Sequence, residues 1–255
     1  DGRLYMEKCV ENFRHIEVQI LGDMHGHVVH LYERECSVQR RRQKVIEETP
    51  SPALSEGLRR EVCDAAVRLA EAVGYYNAGT VEFMLDADDH FYFLEVNTRI
   101  QVEHPVTEMV TGEDLVRWQL RLAAGERLDL AQEAIPRRGH SIECRINAED
   151  PAADFRPSPG RMEAFVPAGG PGVRWDSHVY QGYEIPPNYD SLIGKLIVHR
   201  PTRPEAIATA RRALAEFVMY PTKSTIPLCM DVLAHPRFLE GKWDTTFVER
   251  EMLTD

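Results

Sequence analysis

The stretch EVNTRIQVEHPVTE, residues 95–108, packs carboxylates, amides, a guanidinium and an imidazole into fourteen positions with few apolar residues to bury. Glu95 and Asn97 there, with Glu82 a little upstream, supply only oxygen as ligand atoms for a cation. Hard divalent ions such as Mg²⁺ or Mn²⁺ take one or two carboxylates together with substrate phosphates. Arg99 offers a planar fork that fits a carboxylate-like or phosphate oxyanion. Glu103 could serve as a general base toward a small acid. The basic run Arg40 to Lys44 could neutralise phosphates or a small anion. A single glutamate on a strand is usually the wet face of a half-buried hairpin, and a basic run is often a solvated turn. It is the conjunction that reads as metal–nucleotide chemistry on an anionic substrate. No Walker P-loop, GxGxxG or Ser–His–Asp elbow occurs, so the nucleotide fold would be of another type.

Regular elements must position these residues. AGTVEFMLD (78–86) alternates Val81, Phe83 and Leu85 against Glu82, and HFYFLEVN (90–97) answers it as a second strand. A four-residue loop over Asp86 to Asp89 pairs Glu82 with Phe93 and Glu95 with Thr80. The two glutamates then share one sheet face on a diagonal, with Asn97 on the same face. HIEVQILGD (15–23) reads as a strand with one buried face, Ile16, Val18 and Ile20. HVVHLYER (27–34) returns as a second strand, and TPSPALS (49–55) reads as a linker. Ser55 caps a helix over 56–73 with Leu58, Val62, Ala65, Ala66, Leu69 and Val73 on its stripe and Gly74 as its stop. A helix is expected from about Gly112 to Ala124, with Thr111 and Asp114 as a capping pair and Gly125 as the stop. HSIECRINAED (140–150) is a strand that turns Ile142, Cys144 and Ile146 one way and Glu143, Arg145 and Asn147 the other. Pro204 opens a helix through 205–218, and a last helix covers about 225–235. Antiparallel hairpins with segregated helices make the fold class α+β.

The chain has 255 residues and a net charge of -11, which argues against retention on nucleic acid or anionic membrane by bulk charge. No run approaches the length of a membrane span. The five cysteines are scattered, odd in number and form no CxxC pair, which favours reduced thiols over a disulfide framework or a zinc site. The opening DGRLYMEKCV has no initiator Met and reads as an internal start.

YMEK (5–8), RECSVQRRRQKVIEETPSP (34–52), GTVEFML (79–85), EVNTRIQVEHPVTE, ECRINAEDP (143–151), PSPG (157–160) and YDSLIGKL (189–196) together resemble biotin carboxylase. This is the ATP-grasp component of acetyl-CoA carboxylase, with its role in fatty acid biosynthesis, and of related biotin-dependent carboxylases. The matching stretches span nearly the whole chain. The resemblance implies a ligase that carboxylates biotin on a carrier protein, using ATP and bicarbonate through carboxyphosphate. It implies that Glu82, Glu95 and Asn97 hold the Mg²⁺ or Mn²⁺ bridging the ATP phosphates. It puts Glu7 and Lys8 at the adenine, with His15 and Gln39 nearby at the nucleotide. Lys44, Arg99, Gln101, the Val102 backbone and Glu103 would hold bicarbonate, with Glu103 as its base. Arg145 would stabilise carboxyphosphate and the biotin enolate, where a cation suits the charge that develops on oxygen.

The resemblance further implies a biotin carboxyl carrier protein or domain and a carboxyltransferase component as partners, a homodimer at full length, and a cytoplasmic location. It divides the chain into residues 1–135, the second half of an ATP-grasp domain with an antiparallel sheet, and residues 136–255, a biotin carboxylase C-terminal domain. The family's N-terminal domain and glycine-rich lid are missing from this sequence, so the piece by itself is expected not to turn over ATP. Two positions depart from the bacterial pattern: Arg42 stands where a histidine is common, and Pro171 stands where a dimer contact is often aromatic, though Arg174 is kept. Two other readings compete: another bicarbonate-activating ATP-grasp ligase, such as a carbamoyl-phosphate synthase half, and a non-catalytic split or partner subunit. The run RIQVEHPVTE with ECRINAEDP favours biotin.

Overall fold

The structure, a computed structural model, describes residues 2–6 and 8–253. In chain order its strands and main helices are β1 (Arg14–Gly22), β2 (Val28–Arg40), β3 (Gln43–Thr49), α1 (Glu56–Ala72), β4 (Asn77–Leu85), β5 (Phe91–Asn97), α2 (His104–Thr111), α3 (Leu115–Ala123) and β6 (His140–Asn147). There follow β7 (Glu149–Asp150), β8 (Arg156–Pro157), β9 (Gly160–Arg161), β10 (Ala164–Val166), β11 (Val173–Ser177), β12 (Glu184–Ile185), β13 (Leu192–Arg200), α4 (Arg203–Glu216), β14 (Val218–Tyr220), α5 (Ile226–Ala234) and α6 (Pro236–Leu239). One eight-stranded sheet, ordered β11-β13-β6-β3-β2-β1-β4-β5, is the frame. Every neighbouring pair in it is antiparallel. The α+β class follows directly. Because β3 bonds to β6, the sheet runs unbroken across the expected division at residues 135 and 136.

Helices cover both faces. On one, α1 buries Ile16, Val18, Ile20, Val81, Phe83 and Leu85. Each such side chain contributes about 1.5–3 kcal/mol of transfer free energy. Further along, α4 and α5 bury Ile142, Cys144, Ile146 and Leu196. On the opposite face α3 covers Leu21, Val29 and Leu31, and α2 lies across β2, β3, β6 and β13. The expectation that β1 buries only one face is therefore corrected. His15, Glu17 and Gln19 are buried as well, because α2 and a network of charges close over them.

Caps obey local chemistry. Ser55 Oγ accepts from Leu58 N at 3.2 Å and Gly74 sits at φ +63°, ending α1 as expected. Val73 is 67% exposed, off the buried stripe. The expected helix from Gly112 begins later, after Asp114, whose carboxylate accepts from Arg117 N at 2.8 Å. Residues 104–111 form α2, a helix that was not expected. Around the stretch expected as a linker, Thr49, Ser51 and Leu54 are buried. The second strand continues to Arg40, well past the expected end at Arg34. The basic run is thus a hairpin tip whose middle is the solvated turn: Arg41 and Arg42 are exposed with positive φ, while Arg40 is buried over the Phe155 ring at 3.6 Å.

The β4–β5 register differs from expectation. Glu82 stands opposite Glu95 and Thr80 opposite Asn97, while Phe83 stands opposite Phe93, leaving Leu94 as an extra residue. The turn holds three residues, 87–89, closed by Asp86 N to His90 O at 2.9 Å. These are two slips of one residue each. A single slip would have sent the glutamates to opposite faces; two restore the parity.

Candidate active site

The 97–104 segment carries the chain from the end of β5 to the first turn of α2. Glu103 is the N-cap of α2, yet its side chain makes no capping bond. It turns instead toward two cations. Lys44 Nζ donates to Glu103 Oε1 at 2.7 Å, and Arg145 Nη2 donates to Oε2 at 2.9 Å. Lys44 also donates to Glu17 and lies 3.4 Å from Glu82 Oε1. Arg145 Nε donates to Glu47 Oε1 at 2.6 Å.

Beneath this layer Arg34 is fully buried and acts as a hub. It donates to Gln19 Oε1 at 2.7 Å, Gln101 Oε1 at 2.7 Å, Thr80 Oγ1 at 3.1 Å, Thr107 Oγ1 at 3.2 Å and Glu17 Oε2 at 3.3 Å. Gln101 passes the connection on by donating to Glu82 Oε1 at 2.7 Å. Burial by itself would raise the Glu17 carboxyl, but Lys44, His15 and Arg34 hold it well below the usual carboxylate range. Burial likewise opposes charge on His15. Glu17 and Glu82, 3.1 and 2.7 Å from its Nε2, nonetheless raise it to about 9. Lys44 is raised too, since the attraction of its carboxylates outweighs its burial. The reverse holds under Arg145. Burial lifts Glu47 to about 7 against the pull of Arg145, and burial with the neighbouring Glu47 lifts Glu143 well above the usual range. Glu47 and Glu143 oppose one another across β3 and β6, and Glu47 Oε2 and both oxygens of Glu143 have no hydrogen-bond partner among the described residues.

Two cavities meet here. One of about 350 Å³ is lined by Lys44, Arg99, Gln101, Val102, Glu103 and Arg145, with Arg40 and Arg42 at its edge. The other, a groove of about 960 Å³, is lined by His15, Gln39, Glu82, Glu95 and Asn97. Lys44, Arg99, Gln101 and Arg42 line both. An anion chamber thus opens on a carboxylate-walled groove.

Most of the expected site residues converge on this place. Glu82, Glu95 and Asn97 do meet: Asn97 Nδ2 donates to Glu82 Oε1 at 2.8 Å and to Glu95 Oε1 at 3.4 Å. A donor between two carboxylates marks where a cation is favoured, and turning the amide over presents its oxygen at that point. The set is all-oxygen and fits a hard divalent ion. Among the described residues the Arg99 fork reaches only the adjacent Ile100 carbonyl, at 3.1 Å, and it lines both cavities. Gln39 Nε2 lies 3.3 Å from His15 Nδ1. Lys8 is not brought to the cluster; it is exposed, with Nζ 3.5 Å from the Tyr92 hydroxyl. Glu7 lies outside the described residues. Glu17, Arg34, Glu47, Glu143 and Lys195 were missed by sequence reasoning. The alternation of β1 put Glu17 on the right face, but nothing local distinguishes a buried polar face from a wet one.

Residues 1–131 match the family model of the carbamoyl-phosphate synthase L chain, ATP binding domain. Residues 143–250 match that of the biotin carboxylase C-terminal domain. A biotin carboxylase of a Nostoc species is 57% identical over 96% of this chain and 55% of its own length. The chloroplastic biotin carboxylase of Arabidopsis thaliana is 56% identical over 96% of this chain and 45% of its own. The biotin carboxylase domain dimer of Hydrogenobacter thermophilus 2-oxoglutarate carboxylase, solved with MgADP, ADP and bicarbonate, superposes with a TM-score of 0.93. It is 50% identical, over 95% of this chain and 54% of that one. The chain spans about half the length of the curated relatives it matches.

Proposed function

The chain belongs to the biotin carboxylase family, and on that footing we propose that it supplies the bicarbonate-activating half of an ATP-dependent carboxylation of biotin on a carrier protein. The observation that carries the reading is the Glu103 carboxylate, gripped at one oxygen by Lys44 and at the other by Arg145 in the wall of the anion chamber. Bicarbonate entering this chamber meets two cations for its charge, Lys44 and Arg99, and one carboxylate, Glu103, to take its proton. The deprotonated oxygen then attacks the γ-phosphorus of ATP and ADP leaves. Glu82, Glu95 and Asn97 would hold Mg²⁺ or Mn²⁺, which neutralises charge on the phosphate oxygens. His15 and Gln39 would line the nucleotide groove, with Glu7 and Lys8 toward the adenine. Arg145 is the cation for the biotin ring oxygen once carboxyl transfer begins. Gln101 and the Val102 backbone complete the bicarbonate chamber.

The division into residues 1–135 and 136–255 is part of this reading, supported by the separate family matches of residues 1–131 and 143–250, although one hydrophobic cluster joins Val38, Val45 and Ile46 to the second half. So are a biotin carboxyl carrier protein and a carboxyltransferase as partners, a homodimer, and a cytoplasmic location. The five cysteines are free, and no helix among the described residues is long and apolar enough to cross a membrane.

The test is Glu103→Gln in the full-length protein that carries this sequence. Bicarbonate-dependent ATP cleavage should fall by about 10²- to 10⁴-fold, the usual contribution of a general base, while ATP affinity by calorimetry stays constant. Unchanged turnover would remove Glu103 from the role of base. Stimulation by ammonia in place of biotin would turn the reading toward a carbamoyl-phosphate-type ligase.

A further inference from the structure

On the charged face of the sheet Lys195 of β13 is the direct cross-strand partner of Arg145 on β6. Like charges so placed repel, and the pairing persists only if each cation has anionic or dipolar partners of its own. Arg145 has Glu47 and Glu103. Lys195 has Asp176, 4.0 Å away, and commits its short bond to a backbone: Nζ donates to the Val102 carbonyl at 2.8 Å. That carbonyl belongs to the peptide leading into Glu103. The two neighbouring cations therefore hold the same residue from two sides, Arg145 at its carboxylate and Lys195 through its preceding peptide.

We infer that Lys195 is a positioning residue for Glu103, fixing the Val102–Glu103 peptide so that the carboxylate faces the anion chamber. The inference rests on the functional reading above. Glu103 needs such a hold. It sits at the start of α2 with φ -81° and ψ 6°, without a capping bond from its own side chain, and with Lys44 and Arg145 both drawing its carboxylate outward. The far end of the same segment is tied as well. Arg174 donates to Glu108 Oε2 at 2.7 Å and clamps both oxygens of Asp176 at 2.8 and 2.7 Å. Asp176 thereby faces Lys195. Residues 102 to 108 are thus strapped at both ends to β11 and β13, and the strap at the reactive end is Lys195.

Steady-state bicarbonate-dependent ATP cleavage by the full-length protein, with Lys195→Met and Lys195→Arg, tests this. Loss of the ammonium should reduce kcat/KM for bicarbonate by about 10- to 100-fold, as small misplacements of a reacting group do. KM for ATP should stay within about twofold, because the groove side of the site is untouched. Lys195→Arg, which keeps a donor within reach, should recover most of the loss. The inference is overturned if Lys195→Met leaves the bicarbonate parameters unchanged, if ATP and bicarbonate terms shift by the same factor, or if arginine rescues nothing. Should Lys195→Met fail to fold, Asp176→Asn loosens Lys195 from β11 and must shift the bicarbonate term alone in the same direction; no shift overturns the inference. An active parent enzyme with unaffected variants refutes Lys195 only. A parent enzyme without bicarbonate-dependent ATP cleavage refutes the functional reading and this inference with it.

Discussion

Arg34 is the place where a single substitution should do most to the architecture under the site. Its guanidinium is fully buried and makes five side-chain hydrogen bonds, to Gln19, Gln101, Thr80, Thr107 and Glu17. Arg34→Met keeps the length and apolar bulk and removes all five. Breaking a buried charge pair costs roughly 3–5 kcal/mol, most of it from the partner left without compensation. Glu17 keeps Lys44 and His15, so the lower end applies, about 3 kcal/mol. For a chain of this size that corresponds to a fall in Tm of roughly 6–12 °C. Arg34→Lys keeps the charge but not the fork. An ammonium has three donors where the guanidinium reaches five acceptors from two nitrogens, so about half the loss, on the order of 1–2 kcal/mol, should remain. Thermal unfolding and urea titration read both values, and the urea midpoint should move without a change in slope. If Arg34→Met costs less than about 1 kcal/mol, or if lysine is as damaging as methionine, then the hub does not carry the energy its geometry implies.

Two further outcomes follow from other parts of the fold. Glu48 is buried against His140 and both arms of Arg203, and although burial alone would raise it, these partners lower it from 4.5 to about 2. A depressed carboxyl stabilises above its unfolded pKa and loses that contribution as pH falls through the folded one. About 3 kcal/mol should therefore disappear between roughly pH 4.5 and 2. Glu48→Gln should flatten stability against pH in that window, and an unchanged slope would contradict the assignment. At Gly194 an added Cβ would lie 2.3 Å from Trp175 Cη2, and that ring is boxed in by Phe165 and Phe217. Gly194→Ala should cost about 1–3 kcal/mol by urea titration, and a neutral result would mean that the tryptophan can retreat.

How much of this was legible in the sequence divides along a physical line. Strand alternation announced β1, β4, β5 and β6. Ser55 and Pro204 marked helix starts, because a cap or a fixed φ is a property of one or two residues; Asp114, expected within its helix and paired with Thr111, is instead the N-cap itself. The basic run at Arg40 to Lys44 was visible as charge, but its meaning was not. Arg40 stacks on Phe155, Arg41 and Arg42 make the turn, and only Lys44 reaches the heart of the site. α2 was missed because its buried residues, such as Val106 and Val110, answer to strands far away in the chain.

By itself the sequence put Glu82, Glu95 and Asn97 on the two strands of one hairpin; that they share a face was settled by the structure, where the shorter turn and the extra residue at Leu94 each move the register by one and together restore the parity. The sequence also singled out residues 95–108 by their density of polar groups and showed which family the chain resembles. Only the tertiary structure decided that Glu82 and Glu95 stand directly opposite, since the extra residue at Leu94 moves the register by one beyond what the turn had already moved. It alone decided that Glu17, Arg34 and Lys195 belong to the site. Arg34 finds Gln19 15 residues away and Lys195 finds Val102 93 residues away, brought near by the pairing of β1 with β2 and of β6 with β13. Local periodicity records which way a side chain points. It carries no record of which distant charge will be waiting there, and in a buried site that partner sets both the energy and the chemistry.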